Sequence, residues 1–376
     1  MVTIHDVARL AGVGRTTVSH ALSGKRPVAP TTRERVLAAV QQLGYQPNAA
    51  ARSLVSRRTR TVGLIAPLDS HGEAMRLHED AIYASNYGEF ILATGDRLNA
   101  HDYRLLCLVT REPDAADVRT LVRSGQVDGM LLLQVHANDV RVAALRTEGL
   151  PFVTIGRARD SAGVVRTDAD FSKAAEMAVA HLAELGHRRI GFLTTGRERQ
   201  PLLGFQYHAL AGFRRAHQEH GLRLDRRQVL YHEGEDEHGL HAALAPLLRA
   251  EQDLTALIAT KDMEAVLALR MLTAHGLRIP DAISLVCLND SGLTMLAQPP
   301  ITVVRFSPAV LVYSAVDLLV SMLDGRPLSR LEHLVPVELV LRGSTGPAAS
   351  VALRSEVMLN RSGHLGIPGS MAGVHS

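Results

Sequence analysis

The first ordered signal along the chain is a set of small and apolar residues at helical spacing within TIHDVARLAGVGRTTVSHAL, Thr3 to Leu22. Val7, Ala8 and Ala11 fall on one face of a first helix, and Gly12 supplies a residue that takes φ > 0 in the turn. Val13, Val18 and Ala21 face back from a second helix, about Arg15 to Leu22. Two helices this short must cross closely, so the small side chain of Ala8 matters. After the loop SGKRPVAP, Thr31 is placed to cap a third amphipathic helix, TTRERVLAAVQQLG, with Glu34 as its capping-box partner and Gly44 as its end. Asn48 is placed to cap one further helix, AAARSLV, which is too short to be stable alone.

From Thr61 the rhythm changes. The apolar runs TVGLIAP, YRLLCLVT, VDGMLLL and PFVTIG alternate with helix-like segments, and the alternation resumes with RIGFLTT, TALIAT, ISLVCLN and ITVVRF. This is the βαβ pattern of an α/β protein, with parallel sheets covered by helices on both faces. About 280 residues of it exceed one usual domain and predict two similar lobes with a cleft between them. Such clefts, at the carboxyl ends of the strands, bind small molecules. The expected plan is an all-α head over 1–46, a linker with its short helix over 47–60, a two-lobed core over 61–345 and an unstructured Gly/Ser/Pro-richer tail over 346–376. The chain is expected to cross between lobes near 157–162, 288–292 and 320–325.

Charge sharpens the division. Residues 1–60 hold ten Lys/Arg against Asp6 and Glu34, a head of +8, and the remaining 31 basic and 36 acidic residues make a body of −5. A basic head on an acidic body suits a protein that places one end on a polyanion. The second helix offers Arg15, Thr16, Thr17, Ser19 and His20 outward, a set of base-edge and phosphate hydrogen-bonders. Cys107 and Cys287 each lie in an apolar run and read as buried strand thiols, which fits a reducing cytoplasm. No signal-peptide h-region and no run of about 18 apolar residues occurs, so secretion and membrane insertion are not expected.

Other chemistry is not supported. The stretch Tyr231 to His241 gathers histidines and acids, but it reads as a solvated loop leading into a helix, and no metal site is expected. The pairs His217/His220 and Arg188/Arg189 read as exposed. No nucleotide-binding or nucleophile-elbow motif follows a predicted strand, and no cofactor is expected. An enzyme would need a carboxylate pair in the cleft, for which only Asp69, Asp168 and Asp262 could be nominated.

Taken in order, the blocks TIHDVARLAGV, RERVLAAVQQLGYQPNAAARSL, RTRTVGLIAP, VDGMLLL, HLAELGHRRIGFL, GFRRA, GLRIPDAISLV, PPITVVR and ELVLRGST resemble the lactose-repressor/galactose-repressor transcription regulators over nearly the whole chain. The resemblance implies a homodimer on a pseudo-palindromic operator in double-stranded DNA, with the second helix in the major groove and a core similar to periplasmic sugar-binding proteins. It adds Thr3 and Ser23 to the DNA contacts. It also implies that two copies of the short helix meet over the minor groove, with Leu54 as a wedge between base steps and Asn48 and Ala51 beside it. A small-molecule effector, a sugar or sugar derivative, would shift the angle between lobes and so order or melt these helices. The implied function is a repressor of carbohydrate-utilisation genes. The alternatives are a metabolite receptor with weakened DNA binding and an activator or global regulator of the same fold. No heptad run in the tail supports a coiled-coil tetramer.

The sequence also departs from the family. Gly14 stands where Ser usually caps the recognition helix, and His20 where Arg is usual. The expected effector-binding residues are Asp69, Tyr87, Phe90, Arg157, Tyr207, His208, Lys261, Asp262 and Asn289. Among them Lys261-Asp262 replaces Asn-Asp, Asn289 replaces a sugar-gripping Asp, and the usual ligand Arg aligns with Ala209. These exchanges make the cleft about one charge more positive than usual and suggest a phosphorylated or carboxylated sugar. The segment HGEAMRLHEDAIYAS, before Asn86, looks inserted and is expected to form a lid or an extra helix.

Overall fold

The computed structural model describes residues 2–23, 26–45, 58–67, 77–110, 114–196, 203–232, 237–249 and 253–348. The head is three helices, α1 (Ile4–Ala11), α2 (Arg15–Ser23) and α3 (Pro30–Leu43). Val7, Ala8, Ala11, Val18, Ala21, Val36 and Ala39 form their shared core. Gly12 has φ 62 and Gly44 φ 59. Each lets the next residue turn back, Val13 N–H to the Ala8 carbonyl at 3.0 Å and Tyr45 N–H to the Val40 carbonyl at 3.0 Å, a closure that only a left-handed residue allows without strain. One expectation fails here. Thr31 and Glu34 make no capping box, because Pro30 already occupies the first turn of α3, preceded by Ala29. Proline's fixed φ and missing N–H suit that position.

The core contains two six-stranded sheets. In the first, β1 (Thr61–Pro67), β2 (Arg104–Thr110), β3 (Gly129–Leu133), β4 (Phe152–Ile155), β5 (Arg166–Ala169) and β11 (Glu332–Val335) lie in the order β2-β1-β3-β4-β5-β11. Every neighbouring pair is parallel. In the second, β6 (Ile190–Thr195), β7 (Val229–His232), β8 (Ala256–Ala259), β9 (Ser284–Cys287), β10 (Thr302–Arg305) and β12 (Glu338–Val340) lie in the order β7-β6-β8-β9-β10-β12. Only β12 runs antiparallel there. Central strands such as β3, β4, β8 and β9 are buried along their whole length, which is why they read as unbroken apolar runs rather than alternating ones.

Helices α4 (Leu77–Asn99), α5 (Ala115–Arg123), α6 (Val140–Glu148) and α12 (Pro308–Leu323) belong to the first lobe. Helices α7 (Phe171–Glu184), α8 (Gly204–Glu219), α9 (Glu237–Leu248), α10 (Asp262–Ala274) and the short α11 (Gly292–Leu296) belong to the second. The second lobe's two faces are covered separately, one by α9 and α10 and the other by α7 and α8.

The chain changes lobe between β5 and α7, between β10 and α12, and between β11 and β12. Residues 157–162 instead join two strands of the same sheet, as do 288–292, and 320–325 join a helix and a strand of one lobe. The short strands β5, RTDA, and β11, EHLV, are too polar to register as apolar runs, so the crossings were expected in the wrong loops. Of the inserted stretch, residues 77–85 continue the N-terminal end of α4, while 71–76 lie outside the described residues. The start of the tail is also structured: Gly346 N–H donates to Ser284 Oγ at 3.1 Å, and Ala348 N–H to the Leu185 carbonyl at 2.9 Å. Residues 349–376 lie outside the described residues.

Three further expectations are corrected. Cys107 is exposed, because β2 is an edge strand. His217 is buried and engages the Phe213 carbonyl through Nδ1 at 2.9 Å. His232, expected in a solvated loop, is buried beside Glu264, with Nε2 to Oε1 3.1 Å.

Candidate DNA-reading face and interlobe cleft

On the head, Arg15 and Thr16 are exposed at the first turn of α2, and Thr17, Ser19 and His20 are half-buried. The Gly14 carbonyl accepts the Val18 N–H at 3.1 Å, so a glycine leads into the helix without a capping side chain. Arg15 Nη1 lies 3.2 Å from His5 Nε2 on α1, a contact that sequence spacing did not suggest. The His5 ring orients the guanidinium through this contact. The neighbouring acid is occupied elsewhere. Thr3 donates to Asp6 Oδ2 through its hydroxyl at 2.7 Å and its N–H at 2.9 Å, and these bonds, with Arg9, hold the Asp6 carboxyl below its ordinary range. Ser23 ends α2, and its side chain lies outside the described residues, as do Asn48, Ala51 and Leu54.

The segment leading from the linker is tied to the first lobe. Asp128 accepts Thr59 N–H at 2.7 Å, Thr59 Oγ1 at 2.8 Å and Arg60 N–H at 2.9 Å. Arg58 pairs with Asp324 at 3.2 Å, just beyond α12.

Between the lobes, the turn into α8 docks on the first lobe. His136 and Leu203 form an antiparallel bridge, and Gly204 N–H donates to the Val135 carbonyl at 2.8 Å. A Cβ on Gly204 would lie 1.7 Å from the Arg157 carbonyl oxygen, so only glycine permits this approach. The bridge brings Arg157, Tyr207 and His208 together. Arg157 Nε donates to Asp168 Oδ2 at 3.0 Å and its Nη1 lies 3.6 Å from Glu332, while Nη2 is buried without a partner. Burial pushes the Asp168 carboxyl up to about 7 against the pull of Arg157. Burial, then Arg157, holds the His208 imidazole below its ordinary range, and its Nε2 is buried without a partner. The Arg159 guanidinium lies over the Tyr207 ring at 5.7 Å.

The other expected effector residues sit at strand ends of the second lobe. Lys261 leads into α10, Asp262 is buried at its first turn, and Asn289 follows β9 half-buried. Glu264 accepts Thr195 Oγ1 at 2.5 Å, Thr260 Oγ1 at 2.9 Å and the Lys261 N–H at 3.1 Å. Burial would raise this carboxyl, but His232, Lys261 and Thr195 together hold it low. Acidic groups thus lie beside both cations of the cleft, Glu264 near Lys261, and Asp168 and Glu332 near Arg157. Phe90 packs against the first lobe's core, and Ala209, at the usual ligand-Arg position, is wholly buried. The Tyr87 side chain and Asp69 lie outside the described residues. Sequence reading missed Glu332 and Glu264, and considered Asp168 only as a hydrolytic acid, because their partners come from distant strands. No group of three or more metal-ligating side chains occurs among the described residues, nor is any described helix long and apolar enough to cross a membrane.

A helix-turn-helix head joined to two doubly covered α/β lobes defines a ligand-binding DNA regulator. Residues 3–48 match the bacterial regulatory proteins of the lacI family, and residues 179–345 match the periplasmic binding protein-like domain. The chain is 32% identical over 345 residues to the HTH-type transcriptional regulator CelR of Thermobifida fusca, covering 91% of this chain and 98% of that one. It is 30% identical over 359 residues to the HTH-type transcriptional repressor PurR of Haemophilus influenzae (strain ATCC 51907 / DSM 11121 / KW20 / Rd), covering 92% and 98%. Among solved structures, a CelR–cellobiose complex aligns with TM-score 0.66 and 30% identity over 92% of this chain and all of that one. The Lac repressor dimer bound to operator and the anti-inducer ONPF shares the fold, with TM-score 0.76 at 22% identity over 92% and 99%. The chain belongs to the lacI family of bacterial regulatory proteins, and it is a sequence-specific DNA-binding transcriptional regulator.

Proposed function

We propose that this regulator is a cytoplasmic homodimer, without enzymatic activity of its own, that represses carbohydrate-utilisation genes in response to an effector held between its lobes. The head, 1–46, docks α2 in a major groove through Thr3, Arg15, Thr16, Thr17, Ser19, His20 and Ser23. The linker, 47–60, contributes a short helix whose Asn48, Ala51 and Leu54 meet their symmetry mates at the operator centre. The effector sits at the strand ends, against Arg157, Tyr207, His208, Lys261, Asp262 and Asn289, with Asp69, Tyr87 and Phe90 from the first lobe.

One observation carries this reading. The same chain presents Arg15 and Thr16 on an exposed helix edge and keeps buried polar atoms of Arg157 and His208 unpaired between two lobes. Unpaired buried groups are costly unless a ligand or water meets them. The complex of CelR with cellobiose favours a carbohydrate.

The test is selection of bound sequences from a random duplex pool at fixed, near-physiological salt. The expected result is one palindrome with a central CG-type step. No enrichment, with and without a sugar panel, overturns the reading.

A further inference from the structure

We propose that Glu264 is a positioning residue of the interlobe cleft, whose buried carboxylate fixes the turn that carries Lys261 and Asp262 and links that turn to the segment joining the two lobes. The inference rests on the reading of Lys261 and Asp262 as effector-binding residues. It gives a role to a buried histidine–glutamate pair that lies outside the residues expected to touch the effector.

Glu264 and His232 are each 2% exposed, and burying two such side chains is costly unless their polar atoms are met. The bonds that meet them converge on one place. Oε2 accepts Thr260 N–H at 3.2 Å, Thr260 Oγ1 at 2.9 Å and Lys261 N–H at 3.1 Å, so one oxygen holds both backbone groups that lead into α10. Oε1 accepts Thr195 Oγ1 at 2.5 Å and lies 3.1 Å from His232 Nε2. Thr195 ends β6, His232 ends β7 and Thr260 follows β8, which are neighbours in the sheet. A glutamate that merely capped α10 would need only the bond to Lys261 N–H. The bonds to Thr260 and Thr195 tie the cap to the carboxyl ends of the strands.

The same network reaches the other lobe. Gln206, also 2% exposed, donates through Nε2 to the Thr195 carbonyl at 3.4 Å and accepts Leu203 N–H through Oε1 at 3.1 Å. Leu203 is the residue that bridges to His136 of the first lobe. The turn at 260–262 and the interlobe contact at 203–204 are therefore tied to one strand end, the first through the Thr195 hydroxyl and the second through its carbonyl. Lys261 and Asp262 gain from this a fixed backbone from which their side chains are aimed.

The test compares the full chain with Glu264→Gln, with Thr195→Val and with the double variant Glu264→Met/His232→Leu. Replacing a buried polar pair by apolar residues of similar volume is often neutral for stability, so the double variant is expected to melt near the parent's temperature while offering Thr260 and Lys261 no acceptor. Glu264→Gln keeps an oxygen for them and turns its amide N–H toward the Thr195 hydroxyl, which can accept. Hydrogen–deuterium exchange without ligand is expected to show the Thr260 and Lys261 amides exchanging about 10-fold or more faster in the double variant, and within about 3-fold of the parent in Glu264→Gln. Operator titrations with cellobiose, then with a panel of neutral sugars, sugar phosphates and uronic acids, identify the sugar to which the parent responds. The concentration giving half response is expected to rise about 10-fold or more in the double variant and about 3-fold in Thr195→Val, and to stay within about 3-fold of the parent in Glu264→Gln. Parent-like exchange or a parent-like response in the double variant overturns the positioning role, and so does a loss in every variant that merely follows its melting temperature. If the double variant does not fold, an unchanged response in Thr195→Val overturns it. No response of the parent to any sugar overturns the effector-cleft reading, and the inference falls with it.

Discussion

Arg15 stands at the front of α2 with one side-chain contact, His5, and a full positive charge. Its remaining N–H groups suit the O6/N7 edge of a guanine, so Arg15→Ala is expected to lose about 1–3 kcal/mol on the selected operator and to relax the preference at one base pair. Equilibrium binding to single-substituted duplexes at constant salt checks this; an equal loss on every sequence would reassign Arg15 to phosphate. Asp168 supports a different prediction. Its carboxyl, raised from 3.8 to about 7 in the fold, holds a proton that the unfolded chain releases. Its contribution to stability is therefore full below about pH 4 and is lost as pH rises through about 7. Thermal melts of Asp168→Asn across that window are expected to show a flatter pH profile than the parent, and an unchanged profile would refute the assignment. The residues themselves were visible in the sequence, but the environments that give Arg15 its His5 partner and Asp168 a raised pKa were not.

At the scale of elements, the head was readable in detail because its contacts are local. Positions three and four apart form the helix faces, and glycines at φ 62 and 59 end α1 and α3. The central strands were equally plain, since strands buried on both faces must be apolar throughout. Packing between helices was not. Helices α7 and α8 approach so closely that a Cβ on Gly212 would lie 2.2 Å from the Ser172 carbonyl oxygen, a backbone atom that cannot rotate away. Gly212→Ala should therefore cost about 1–3 kcal/mol in urea unfolding as the helices separate. A cost within a few tenths would mean that the pair can slide apart freely.

Across the whole molecule, regulation requires that the lobes report to the linker. The bridge at Gly204 joins the lobes, and Asp128 with Asp324 fastens residues 58–60 to the first lobe. Gly204→Ala places a methyl group 1.7 Å from the Arg157 carbonyl oxygen. The expected outcome is a folded protein with separated lobes, in which operator affinity no longer changes with effector. Small-angle scattering and operator titrations with and without ligand measure the two halves of that outcome. Retained effector response would show that this bridge is not part of the coupling.

The sequence by itself determined the head, the α/β class, two lobes and the family, because helical and strand periodicity and short motifs are properties of neighbouring residues. It also carried Arg157 and His208 as candidates. Only the tertiary structure decided where the chain changes lobe, since polar strands such as β5 are recruited by partners far along the chain. It likewise decided the polarity of the cleft. Net charge counted from the sequence suggested an anionic effector, whereas the fold sets Asp168 of β5 and Glu332 of β11 beside Arg157, and Glu264, one turn along α10, near Lys261. Arg157 Nη2 on the first lobe and His208 Nε2 on the second are left buried without partners. Hydrogen-bonding direction depends on which neighbours already occupy each atom, and those neighbours are assigned by the fold.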